Sequence, residues 1–559
     1  MKYTLLMTLL APALLAGCNL EKREEPFQAR HVRAGYDAGQ VCQQLRQGWQ
    51  EDGIAIPASQ VSCHYLTVPL DYDKEWVQIK ETKWEKSSTS RTGSGFFSGD
   101  SRHFSSWSDN PSRTQIKQQT RTVKGDTLDI FYLHYRASGD YRGTLFYNPG
   151  GPTSATPDLG LLLDLLRSAN PAILEHYDIV TLDPRGAGYS ALGHELRSCL
   201  LTDKQGVRPD MTPAQLAQLF ASRDKGALPA LQSGADQGQA FGATLRERCD
   251  EPLRLHAPHL GSRAVVEDME RLRQHLGRDR ITPITFSYGT RLAALYAARY
   301  PSHVANLVVD SPMSPAESRY PAIFRGDGEN ANRILAWRFG EQALQRSMAV
   351  TRQVRDNGRY VDNQGNVLDR ASWVAVLGDA ISGSQRDDQL AFWQQDDAGP
   401  LLARLAGQDD DNPYQELQEM PFFSAIHCTD NSEPYGWQGL DPEDAAFLGA
   451  GALLLAKSFH TCADWPYPRQ PIASYGAGEI KLPDDAKALV LGAEYDPNTP
   501  FAGARQMQAA FGSAARMVQV TQSNQHGQLN SSLCARAALS TLLLGDAASL
   551  PAEQRCLAD

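Results

Sequence analysis

The sequence lacks an excess of positive charge: 54 Lys and Arg stand against 65 Asp and Glu over 559 residues, a net charge of −11. Nucleic acid is thereby disfavoured as the main partner, because phosphate recognition needs clustered cations. Two apolar stretches, Thr4 to Leu15 and Ala445 to Ala456, both fall short of the ~20 residues that cross a hydrocarbon core as a helix. The second reads as a buried helix. No C-x-x-C or Cys/His cluster has metal-ligand spacing, no G-x-x-x-x-G-K-[ST] phosphate loop is present, and no internal repeat is evident. Neither is the chain short of apolar residues, which make up 42% against 21% charged. That balance excludes disorder over most of its length. At roughly 150 residues per domain the length allows two to four domains.

What is present begins at the amino terminus. Met1-Lys2-Tyr3 and the following apolar stretch read as a signal peptide over residues 1–17. It ends in Leu15-Ala16-Gly17-Cys18, which resembles the lipobox of bacterial lipoproteins. That resemblance implies lipidation at Cys18, a membrane partner through the lipid anchor, and export to the cell envelope. Asn19 after the Cys would favour outer-membrane sorting. Residues 18–40 are polar and read as a tether. The other eight cysteines, Cys42, Cys63, Cys199, Cys249, Cys428, Cys462, Cys534 and Cys556, suit disulfides in an oxidising compartment. Eight cysteines allow 105 pairings, of which sequential pairing is the simplest.

From Glu81 to Gly125 the composition shifts to ten Ser, six Thr and eight Lys or Arg against four Asp or Glu. Without apolar periodicity, this reads as a long exposed loop or flexible insertion. Its alternative is a basic patch interleaved with Trp84, Phe96, Phe97, Phe104 and Trp107. Beyond it an α/β rhythm starts. Leu128 to Tyr135, Thr144 to Tyr147, Tyr177 to Leu182, Ile281 to Phe286 and Val304 to Val309 read as strands. Asp158 to Ser168, Ala264 to Leu276 and Arg291 to Tyr300 read as helices. Such alternation predicts a mostly parallel sheet covered on both faces. The rhythm stops over 315–470, which reads as helical. It resumes with strands Ala488 to Leu491 and Met517 to Val520 around a helix at Phe501 to Phe511. One α/β core, 41–314 and 471–559, is thus interrupted by an insertion.

Three segments carry chemistry. Ile284-Thr285-Phe286-Ser287-Tyr288-Gly289 places a serine on a sharp strand-to-helix turn, close to the G-x-S-x-G nucleophile elbow with Thr285 at the first glycine position. Serine is a poor nucleophile at neutral pH and needs a base oriented by an acid. Asp496 follows a buried strand, and His526 the next one, giving the order Ser, Asp, His at successive strand ends. Asp310, ending the strand after the elbow, is the competing acid. The tetrahedral oxyanion needs backbone N–H donors. Tyr288, next to the nucleophile, supplies one. Asn148-Pro149-Gly150-Gly151-Pro152 supplies Gly151, its paired glycines letting the backbone approach the substrate. Asp183-Pro184-Arg185-Gly186 reads as a structural turn beside the site.

Together with Val68-Pro69-Leu70-Asp71-Tyr72 and Ala425-Ile426-His427-Cys428-Thr429-Asp430, these motifs resemble the tripeptidyl-aminopeptidase-like branch of the α/β-hydrolase superfamily, relatives of prolyl aminopeptidase. The resemblance runs from about residue 42 to the C-terminus, apart from 81–125. It implies an α/β-hydrolase core with an inserted, mainly helical cap at 315–470, and a triad of Ser287, Asp496 and His526. It also implies a serine exopeptidase acting on peptides with free amino termini, with Gly150 at the substrate and no metal or cofactor. An esterase or thioesterase, or an idle binding lipoprotein, would use the same scaffold. The ammonium of such a substrate calls for a carboxylate, with Asp430 and Glu433 the cap candidates. Two departures from the family pattern stand near the nucleophile: Thr285-Phe286 replaces paired glycines, and Thr153 replaces a glycine.

Overall fold

The computed structural model describes residues 29–54, 56–86, 114–199, 247–316, 319–383, 386–406, 413–432, 441, 443–453, 462 and 465–559. Its strands, in chain order among these residues, are β1 (His31–Val32), β2 (Val61–Pro69), β3 (Trp76–Lys86), β4 (Thr114–Lys124), β5 (Thr127–Tyr135), β6 (Gly143–Asn148), β7 (Tyr177–Leu182), β8 (Thr282–Phe286), β9 (Leu307–Asp310), β10 (Arg359–Val361), β11 (Val367–Asp369), β12 (Ala488–Ala493), β13 (Ala515–Thr521) and β14 (Glu553–Leu557). The chain divides into two units, one holding Lys74–Gly125 and the other His31–Asp73 with Asp126–Asp559.

In the smaller unit β3 and β4 form an antiparallel ribbon, in register from Trp76↔Lys124 to Lys86↔Thr114. The loop expected over 81–125 therefore begins and ends as a ladder. Its β-branched residues Val77, Ile79, Ile116 and Val123 suit strands, but polar residues on both sides of the alternation conceal the period. Trp84 lies in β3, whereas Phe96, Phe97, Phe104 and Trp107 lie outside the described residues.

The larger unit is built on a sheet of order β1-β5-β7-β6-β8-β9-β12-β13-β14, with β2 paired to β5. β5 runs antiparallel to β2 and β7, while β7, β6, β8, β9, β12, β13 and β14 run parallel to their neighbours in that order, and β10 and β11 form a separate antiparallel pair. Alternate residues of β5 face opposite layers: Leu128, Ile130 and Tyr132 join one apolar cluster, and Phe131, Leu133 and Tyr135 the other. Helices thus cover both faces, as the apolar runs of a parallel sheet require. The expected tether is shorter than 18–40. His31–Val32 pairs with β5, and Asp37 caps the Ala38–Glu51 helix by accepting from the Gln40 N–H at 2.9 Å. Backbone pairing and a cap need no apolar residue, so a polar composition hides both.

β9 and β12 are neighbours, Leu307 opposite Ala488, although the whole insertion lies between them. Its helices Tyr320–Phe339, Glu341–Asn357, Arg370–Ser382 and Asp387–Gln395 enclose a core of their own around Ile334, Trp373, Phe392 and Trp393. The Pro413–Asp430 helix behaves differently: Phe422, Ala425 and Ile426 belong to the core of the sheet. Of the buried helix expected at Ala445 to Ala456, the part up to Ala452 forms two short 3-10 turns, Ala445–Phe447 and Gly449–Ala452, and residues 454–456 lie outside the described residues. Gly449, at φ +59, breaks the run in the left-handed conformation that glycine tolerates. The eight cysteines pair in sequence order, Cys42–Cys63, Cys199–Cys249, Cys428–Cys462 and Cys534–Cys556.

Candidate active site

The site lies at the ends of parallel strands. Ser287 follows β8 with φ +50, a conformation a non-glycine residue adopts only where its surroundings impose it. Here they do. The Ser287 N–H donates to the Asp310 carbonyl at 3.0 Å, and its own carbonyl accepts from Thr290 Oγ1 at 2.6 Å. Gly289 is needed because a Cβ there would come within 2.4 Å of Asn148 Oδ1. Thr285 fits where glycine was expected: it is fully buried, and its hydroxyl donates to the Val308 carbonyl at 3.1 Å. Phe286 turns edge-on to Tyr147, ring centres 6.2 Å apart.

The Asn148–Pro152 loop lies directly against this turn. Gly150, at φ +104, leaves room for no side chain: a Cβ would stand 2.7 Å from the Phe286 carbonyl oxygen and 2.9 Å from Ser287 Cβ. Gly151 also has positive φ, +97. Tyr288 sits at the start of the Gly289–Arg299 helix, where the first N–H groups have no intrahelical acceptor. Asp183 holds the chain just beyond the loop. Its buried carboxylate accepts from Ser154 Oγ and from the Ala155, Thr156 and Tyr189 N–H groups at 2.7–3.0 Å. Arg185, also buried, pairs with Asp268 and donates to the Pro69 and Leu70 carbonyls. The Val68–Tyr72 and Asp183–Gly186 motifs are therefore one structural joint.

Asp496 follows β12 and is fully buried. Its Oδ1 accepts from the Asn498 and Thr499 N–H groups at 2.9 and 3.0 Å, and its Oδ2 from Thr499 Oγ1 at 3.0 Å. The same carboxylate lies 2.9 and 3.0 Å from Nδ1 of His526, half-buried on the loop after β13. With Nδ1–H donating to the acid, Nε2 keeps its lone pair and can act as a base. Burial pulls the imidazole pKa down, but the Asp496 hydrogen bond and charge, with the Asp310 charge, outweigh it and raise the value. Asp310 does not take the position on Nδ1. Its two oxygens accept the Gln528 and Leu529 N–H groups, each at 2.8 Å. The Gly527 N–H donates to Ser311 Oγ at 2.8 Å. The histidine loop is thus docked on the end of β9, the strand that also receives the Ser287 N–H. Burial raises the Asp310 pKa to about 6.

The predicted ammonium ligands fare differently. Asp430, only 2% exposed, caps the Ser262–His275 helix: its Oδ1 accepts the Ser262 N–H at 2.8 Å, and its Oδ2 the Ser262 hydroxyl. That hydroxyl also meets the Tyr288 phenol at 2.6 Å. In the structure Asp430 is thus engaged as a helix cap behind Tyr288. Sequence could not show this, because Ser262 lies 168 residues away. Glu433 and Cys18 lie outside the described residues.

Several site residues escape sequence reasoning. Asn330 Nδ2 of the insertion donates to the Asp496 carbonyl at 2.7 Å. Arg333 reaches the Glu494 carbonyl, and Trp337 stacks on Tyr495 with ring centres 4.1 Å apart. On the histidine side, Asn524 Nδ2 donates to the Ile381 carbonyl at 3.2 Å. The insertion thus braces both the acid loop and the base loop. A cavity of about 540 Å³ opens beside His526, bounded by Phe286, Tyr147, Gly527 and the Leu159–Ala169 helix. Among the described residues, no group of three or more His, Cys, Asp or Glu is placed to hold a metal ion. Among them, no helix is long and apolar enough to cross a membrane.

A serine at positive φ, a carboxylate-bound imidazole and a glycine loop lie at one sheet edge, an arrangement suited to hydrolysis. Residues 143–529 match the model of the alpha/beta hydrolase fold family, and the chain belongs to that family. It is similar to a tripeptidyl aminopeptidase of Streptomyces coelicolor, 23% identical over 422 residues that cover 69% of this chain and 71% of that one. It is also similar to the serine protease Hip1 of Mycobacterium tuberculosis, 27% identical over 67% of this chain and 74% of that one. Carboxylesterase B of the same organism is 26% identical over 67% and 73%. The protein is a hydrolase, and its relatives support serine peptidase or hydrolase activity.

Proposed function

We propose that the protein is a serine exopeptidase that releases single residues or short peptides from free amino termini through an acyl-enzyme. The observation that carries this reading is the Asp496–His526 pair, at 2.9 Å, on a loop docked to the strand that also fixes the Ser287 turn. His526 Nε2 takes the Ser287 Oγ proton as the oxygen attacks the peptide carbonyl. The resulting oxyanion is held by the Gly151 and Tyr288 N–H groups. Collapse breaks the C–N bond, His526 returns the proton to the departing amine, and a water molecule activated by the same imidazole releases the acyl group. A lipid anchor at Cys18, suggested by Leu15-Ala16-Gly17-Cys18, would place this reaction in the cell envelope.

The second reading, an esterase, is favoured by the similarity to carboxylesterase B, since acyl transfer to water uses the same machinery. Chromogenic substrates with free and acetylated amino termini separate the two. The exopeptidase reading predicts hydrolysis of the free-amine amides and poor turnover of the acetylated ones. Equal rates on both would overturn it, and hydrolysis of esters alone would establish the esterase. Loss of turnover in Ser287→Ala with peptide binding retained excludes an idle binding scaffold.

A further inference from the structure

The carboxylates around the site are almost all engaged. Asp183, Asp310, Asp430 and Asp496 each accept two or more hydrogen bonds from the protein. Asp164 pairs with Arg167 one turn along its helix. Asp158 differs. It stands at the N-cap position of the Leu159–Ala169 helix yet makes no capping hydrogen bond, and among the described residues no donor or cation meets its carboxylate. It is half-buried all the same, and it lines the same cavity as His526 and Phe286.

A carboxylate withdrawn from water without a partner is costly to keep. Burial and the nearby Asp183 charge accordingly push its pKa up to about 6. Its helical backbone, φ −81 and ψ −1, does not aim the side chain at the first helix amides, and no capping contact is made. The cavity volume, about 540 Å³, lies within the ~300–1,000 Å³ range of small-ligand sites. Its walls are mainly apolar, from Tyr147, Leu162, Leu165 and Phe286, and the charged groups that line it are Asp158, Asp164, His526 and Arg536. Arg536 is bound to the Leu529 and Asn530 carbonyls, so no protein cation is spent on Asp158.

We propose that Asp158 receives the α-ammonium of the substrate, in the role the sequence had assigned to Asp430 and Glu433. The inference rests on the exopeptidase reading and names its specificity determinant. An ammonium donates up to three hydrogen bonds and carries the positive charge that the half-buried, unpartnered carboxylate lacks. The distance between this anchor and the Ser287 oxygen would then set how many residues are released.

The test compares kcat/KM for one peptide amide with a free amino terminus and for its acetylated form, in wild type, Asp158→Asn and Asp158→Glu. Each value is expressed as the free-to-acetylated ratio within one preparation, so a partly unfolded variant does not distort it. Wild type should prefer the free amine. Asp158→Asn should lower the ratio tenfold or more, mainly through KM of the free-amine substrate, and Asp158→Glu should restore part of it. A preference kept in full by Asp158→Asn would overturn the assignment while leaving the exopeptidase reading intact. No preference in wild type would overturn both.

Discussion

The ends of β9 and β12 each present a fully buried aspartate to the histidine loop, yet the two do different work. Asp496 accepts the imidazole Nδ1 and fixes its tautomer. Asp310 accepts two backbone N–H groups and fixes where the loop lies. Position at a strand end made either one a plausible acid, and the direction of the hydrogen bonds separates them. One acts on the proton inventory of the base, the other on its place.

That difference can be broken by substitution. Asp496→Asn should keep the fold but present an amide to Nδ1, and kcat should fall about 10⁴-fold, the scale at which the wrong tautomer is known to act. Steady-state kinetics on a free-amine amide would read it. Gly150→Ala should follow at about 10²–10³-fold, because the new methyl meets the Phe286 carbonyl oxygen and Ser287 Cβ and displaces the loop proposed to donate to the oxyanion. Unchanged KM with the fall confined to kcat would mark it as a transition-state effect.

Asp310→Asn sharpens the comparison. One of its N–H partners would face an amide NH₂, costing stability by about 1–3 kcal/mol, which denaturant unfolding would measure. Its effect on kcat should be far smaller than that of Asp496→Asn. Its pH signature is distinctive. His526 must be neutral to accept the serine proton, so kcat/KM falls on the acid side through a pKa raised above the ordinary histidine value. The Asp310 charge is one cause of that rise, so its removal should shift the acid limb to lower pH. A shift to higher pH would contradict the assignment. The smallest effect expected is from Asn330→Ala, which loses one neutral hydrogen bond to the Asp496 carbonyl and should cost about fivefold in kcat.

Much of the core was legible because a buried parallel strand needs a continuous apolar run and its turns need particular residues. Tyr177–Leu182 and Phe501–Phe511 occur with the bounds the pattern predicted, and Ser287, Asp496 and His526 each follow such a run. What composition concealed was structure that needs no apolar signal: the β3–β4 ribbon, the β1 pairing, and β14, whose Glu553–Leu557 is largely exposed. Contacts between distant segments were equally hidden. Asp430 sits in a motif that suggested a ligand, yet its partner Ser262 belongs to another helix. Asn330 lies 166 residues from the loop it braces, and nothing in its own helix marks it. Asp158 stood inside a predicted helix start, where an aspartate is ordinary. Only the cavity and the missing cap bond single it out.

The most direct test is covalent. Wild-type protein treated with a fluorophosphonate, followed by peptide mapping, should carry one equivalent of phosphonate on Ser287. Labelling should vanish in Ser287→Ala and slow severely in His526→Ala. Modification at another serine, or none under conditions where substrate is turned over, would contradict the account.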